Sequence, residues 1–69
     1  MKYDYSMLLG KIISKYGNRK NFAYAMKTSP ATLHQKLNGI AEWKQSDIEK
    51  ACKLLEIPEE KIHTYFFSV

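Results

Sequence analysis

A chain of 69 residues has room for one core near the lower limit for unaided folding, and its 45% hydrophobic content argues against wholesale disorder. No apolar run approaches the roughly 20 residues of a membrane span, the N-terminus lacks a signal-peptide apolar region, and the single Cys52 permits no internal disulfide, so a cytoplasmic protein is expected. The formal charge of +4 is uneven: residues 1–44 carry eight Lys/Arg against Asp4 and Glu42, and residues 45–69 carry three against five acids, which points to a polyanion partner for the first part.

Lys2–Ser6 reads as an aromatic lead-in whose Tyr3 and Tyr5 pack against the body. Asp4 or Ser6 can cap a first helix expected over about residues 6–16. Leu9, Ile12, Ile13 and Tyr16 give it an i, i+3, i+4, i+7 stripe, with Leu8 on the same flank. Gly10 weakens this helix by roughly 1 kcal/mol relative to alanine, and Gly17 stops it.

The stretch Asn18–Gly39 predicts two short helices joined by a tight polar turn, at about 19–26 and 30–37. Asn18 caps the first, and Phe22, Ala23 and Met26 form its narrow apolar face. Lys27-Thr28-Ser29 interrupts the pattern. Ser29 before Pro30 restarts it, with a hydroxyl cap followed by a residue whose fixed φ suits the first helical position. Leu33 and Leu37 face one side, and Asn38-Gly39 tolerates the left-handed stop.

The other face of that second helix is unusual. Ala31 and Gln35 lie nearly opposite Leu33, with Thr32, His34 and Asn38 beside them and Lys36 on a flank, and no residue is acidic. A helix entering a major groove needs small residues for close approach, amides or hydroxyls for base edges, and cations at its margins for phosphates. This is the helix-turn-helix arrangement, in which the second helix reads the groove.

Ile40–Lys44 is the connection, with Trp43 expected to seal the core and its N–H expected to find a partner. A fourth helix is expected from about Lys44–Ser46 to Leu55. Ser46 and Glu49 match a capping box, and Ile48, Ala51, Cys52 and Leu55 form the stripe. Ile57-Pro58 breaks it. Pro58-Glu59-Glu60 opens a fifth short helix, with Ile62 and Tyr65 inward and Phe66-Phe67 following. The expected shared core is Leu9, Ile12, Ile13, Phe22, Ala23, Met26, Leu33, Leu37, Trp43, Ile48, Ala51, Leu55 and Ile62.

Ala23, Met26, Leu33, Leu37 and Asn38-Gly39, at these spacings, resemble the lambda-repressor-like (Cro and repressor type) helix-turn-helix family. The opening Tyr3-Asp4-Tyr5, Trp43, the run Ile48–Cys52 and the closing Tyr65-Phe66-Phe67 resemble most the short Cro-like or repression-modulating regulators of temperate phages of Gram-positive bacteria. The resemblance implies an all-α, compact five-helix fold, with residues 1–69 as one helix-turn-helix domain. It departs from the family at Pro30-Ala31, where a glutamine often stands.

Catalytic chemistry is not expected. His34 and His63 with one cysteine between them make no zinc site, and Glu59 and Glu60 diverge on a helix. Neither a cofactor, a metal nor a small-molecule ligand is expected. The main expectation is a sequence-specific DNA-binding regulator of a lysis–lysogeny switch in the host bacterial cytoplasm, bound to a double-stranded operator. Lys20, Lys36, Asn38 and Lys44 would contact the backbone, Arg19 a phosphate or a guanine, and Ala31, Thr32, His34 and Gln35 would face bases. The alternative is a modulator or anti-repressor that binds the cognate phage repressor and blocks its DNA binding. There, or in a homodimer, Tyr65, Phe66 and Phe67 would form the interface, because three successive aromatics cannot all face one small core.

Overall fold

The computed structural model describes residues 3–69, so Lys2, at the head of the lead-in, lies outside the described residues. Five α-helices follow in order: α1 (Ser6–Tyr16), α2 (Arg19–Ala25), α3 (Pro30–Leu37), α4 (Gln45–Leu55) and α5 (Ile62–Phe66). A 3-10 turn, Glu59–Lys61, leads into α5, and there is no strand among the described residues. The architecture is all-α, as expected.

The start of α1 is tied by Asp4, whose Oδ1 accepts from Ser6 N–H at 2.9 Å. Gly17, at φ 85°, ends the helix and donates to Ile13 O. The inward stripe is Leu8 and Ile12, both fully buried, with Tyr5 and Tyr16 packed beside them. The expected phase was off by part of a turn: Leu9 is half-buried and Ile13 is 43% exposed. Residues 5, 8, 12 and 16 follow each other by three or four and so share one side, while Ile13 lies about 100° round from Ile12.

Local chemistry sets α2 and α3 closely. Asn18 Oδ1 accepts from Asn21 N–H at 2.8 Å, and Asn21 Nδ2 donates back to Tyr16 O at 3.0 Å, which fixes the α1–α2 corner. Ser29 Oγ accepts from Thr32 N–H at 3.1 Å ahead of Pro30. Phe22, Ala23, Met26 and Leu33 are buried, and Leu37 is half-buried against them. The turn between the helices takes Lys27 to φ 60°, and Lys50 of α4 reaches across to donate to Met26 O at 3.0 Å.

The cap of α4 differs from the expected Ser46–Glu49 box. The helix begins at Gln45, so Asp47 occupies its third position and its Oδ2 accepts from Lys44 N–H at 3.1 Å. The reciprocal half of a box is missing because a lysine side chain offers no acceptor. Ala51 and Leu55 are fully buried, Ile48 and Cys52 half-buried.

Besides Leu8, two core residues fall outside the expected set. Ile57 is 6% exposed and Phe66 1%. The 3-10 turn delays α5 until Ile62, and Ile62 and Phe66 then stand one helical turn apart on the inner side. Phe66 meets Trp43 edge-on at 5.1 Å, and Asp4 N–H donates to Ser68 O, which closes the tail onto the lead-in. Trp43 does pack on the core, but its Nε1 is buried with no acceptor among the described residues. Such an orphan donor costs about 1–3 kcal/mol.

Candidate functional site

The α2–turn–α3 surface carries eight of the nine residues expected to meet DNA, with Lys44 following at the start of α4. Arg19 and Lys20 are exposed on the first turn of α2, and neither forms an ion pair among the described residues. Ala31 and Gln35 are exposed on α3 without side-chain hydrogen bonds there. Lys44 is exposed, and its backbone N–H is held by Asp47.

The remaining four have partners within the chain. Thr32 Oγ1 accepts from Ser29 Oγ at 2.9 Å. Asn38 Nδ2 lies 2.9 Å from His34 Nε2 and donates to His34 O at 3.0 Å, so these two side chains are bound to each other. Lys36 departs most from a phosphate contact. Its Nζ donates to Asp47 Oδ2 at 2.9 Å and to Glu42 O at 3.0 Å, and its side chain is 12% exposed. A long cation drawn down between α3 and α4 staples those helices, with its ammonium 6.0 Å from the centroid of the Trp43 ring. Burial pushes the Asp47 carboxyl up, but the hydrogen bonds from Lys36 and Lys44 N–H, with both lysine charges, outweigh it and hold the group below the usual carboxylate range.

Arg19 and Asn38 line one hollow of about 280 Å³ with Tyr3, Tyr5 and Leu9. Asp4, Ser6 and Leu37 complete the lining, so the Arg19 guanidinium shares the hollow with a carboxylate.

The aromatic tail divides. Phe66 belongs to the core and is withdrawn from any interface, a correction to its expected role. Tyr65 and Phe67 are half-buried, and Phe67 stacks edge-on with Tyr3 at 5.4 Å. Phe67 also forms one end of a groove of about 780 Å³ between α4 and the C-terminal segment. Trp43, Ile48, Cys52, Ile57 and Ile62 line it, with Gln45, Glu49 and Glu59. Sequence periodicity assigned Trp43, Ile48, Cys52 and Ile62 to the core, so the groove was not visible. The signal lay in the acidic residues interleaved with them. Burial raises the Cys52 thiol above its ordinary value, which keeps it a neutral apolar wall.

No group of three or more His, Cys, Asp and Glu among the described residues could hold a metal ion. No helix among them is long and apolar enough to cross a membrane.

The fold is shared with a known structure. The chain is 49% identical to the modulator of repression (MOR) of the temperate bacteriophage TP901-1 from Lactococcus lactis, whose solution structure it matches with a TM-score of 0.85. The match covers 97% of this chain and 90% of that one. No curated protein matches the sequence. A family model described as protein of unknown function (DUF739) matches residues 1–69, the whole chain, and the protein belongs to that family.

Proposed function

We propose that this protein is a regulator in the lysis–lysogeny switch of a temperate phage and acts as a modulator of repression in the host bacterial cytoplasm. It binds the cognate phage repressor and blocks the repressor's binding to DNA. The observation that carries this reading is the 49% identity, over nearly the full length of both chains, to a modulator of repression. The chemistry of α3 supports it. Thr32, His34, Lys36 and Asn38 spend their polar groups within the chain, which leaves Gln35 as the one exposed amide on that helix free to read a base. The test is a mobility-shift assay with operator duplex and cognate repressor. Addition of this protein should remove the repressor–DNA band, and this protein alone should produce no band of its own.

A second reading rests on a specific observation. The capped helices α2 and α3 follow each other across a short turn, with Arg19, Lys20 and Gln35 exposed on them, which supports reading the pair as a helix-turn-helix. In that reading the protein docks on an operator itself. Lys20→Ala would flatten the salt dependence of binding by about one unit of slope, and Gln35→Ala would cost roughly 1–3 kcal/mol at one operator position.

A further inference from the structure

We propose that the groove between α4 and the C-terminal segment receives an amphipathic helix of the partner protein, apolar on one face and edged with lysine or arginine. The inference rests on the repressor-binding reading and names the surface that does the binding.

The floor of the groove is apolar. Trp43, Ile48, Cys52, Ile62 and Phe67 are anchored on the core yet keep part of their surface open. A second hollow of about 420 Å³ adjoins it across Trp43, Ile48 and Phe67. The two together make an elongated trough, the shape that accepts the apolar stripe of a helix.

Charge selects the occupant. Glu49 and Glu59 border the groove and Glu42 borders the adjoining hollow, and no Lys, Arg or His lines either. None of these three carboxylates forms an ion pair among the described residues. The chain as a whole has eleven Lys/Arg against seven acids, so this face opposes the overall sign. It repels a nucleic-acid backbone and attracts a basic polypeptide, which fixes the register of a docked helix. Trp43 stands where the two hollows meet, its half-buried indole ring a wall of both, while its N–H is buried with no acceptor among the described residues.

The test uses the full chain labelled with nitrogen-15 and the unlabelled cognate repressor. The protein has one tryptophan, so its spectrum holds one indole N–H resonance. That resonance should move as repressor is added. Glu49→Lys and Glu59→Lys should each lower the affinity at least tenfold. Glu60→Lys, an equal charge change on an exposed residue outside the groove, should stay within threefold. All three side chains are exposed, so the variants should keep the wild-type circular dichroism. Binding by the wild type that Glu49→Lys and Glu59→Lys leave within threefold, with the indole resonance unmoved, overturns the groove and leaves repressor binding standing. Absence of wild-type binding overturns both. Self-association of the protein alone that these variants abolish assigns the groove to a second copy and overturns the proposal.

Discussion

Asp47→Ala should destabilise the protein by about 2–3 kcal/mol. The carboxylate holds two groups at once, Lys36 Nζ at 2.9 Å and Lys44 N–H at 3.1 Å. Loss of an N-terminal cap costs about 1 kcal/mol. The pair with Lys36, at side-chain exposures of 12% and 26%, lies between the surface limit of about 0–1 kcal/mol and the buried limit of about 3–5. A value of about 1–2 kcal/mol for it is reasonable. A single core of this size supplies only about 3–5 kcal/mol in all, so the variant should lose half or more of its stability. The midpoint should fall by about 10–20 °C. Lys36→Met should cost about 1–2 kcal/mol, and the double variant little more than Asp47→Ala alone. The folded Asp47 carboxyl titrates below its ordinary value of 3.8, so its contribution is complete above that value and is lost as pH falls through the folded pKa. Urea unfolding followed by Trp43 fluorescence, at pH 7 and pH 3, measures all of this. Asp47→Ala within 0.5 kcal/mol of wild type at pH 7, or an equal penalty at both pH values (about the same to within 0.5 kcal/mol), would refute the staple.

Further expectations concern the core, the turn and DNA. Phe66→Ala should cost about 3–5 kcal/mol in urea unfolding, and Ile13→Ala, on the exposed side of α1, less than about 1 kcal/mol. Lys27→Gly should raise the thermal midpoint by relieving about 1 kcal/mol of left-handed strain at φ 60°, and an unchanged or lower midpoint counts against that account. On operator and scrambled duplex alike the protein alone should leave the anisotropy unchanged across several salt concentrations, because α3 offers Gln35 alone as a free base-reading amide.

Much of the fold was legible where local chemistry decides it. Asn18, Ser29-Pro30 and Gly17 satisfy or end backbone groups within a few residues of themselves, so they place α2, α3 and the end of α1 without tertiary information. Phase was harder. Leu8, Leu9, Ile12 and Ile13 offer two overlapping stripes, and the packing of α1 against α2, α4 and α5 chooses between them. Phe66 was hidden for a related reason, since a three-residue 3-10 turn rotates everything after it. The candidate site divides the same way. That Arg19, Lys20 and Gln35 are exposed follows from helical spacing, whereas the capture of Lys36 by Asp47 spans eleven residues and two helices. The groove is a property of how α4 and α5 diverge, which no single-helix pattern contains.

The central claim is that the partner of this protein is a repressor. Its most direct test follows the fluorescence anisotropy of labelled operator duplex bound by the cognate repressor while this protein is added. The account predicts a saturable fall to the value of free duplex, with an endpoint set by the ratio of this protein to repressor and no change when this protein meets the duplex alone. A repressor–operator complex that stays intact at a large excess of this protein, or a rise in anisotropy from this protein alone on operator but not on scrambled duplex, would contradict it.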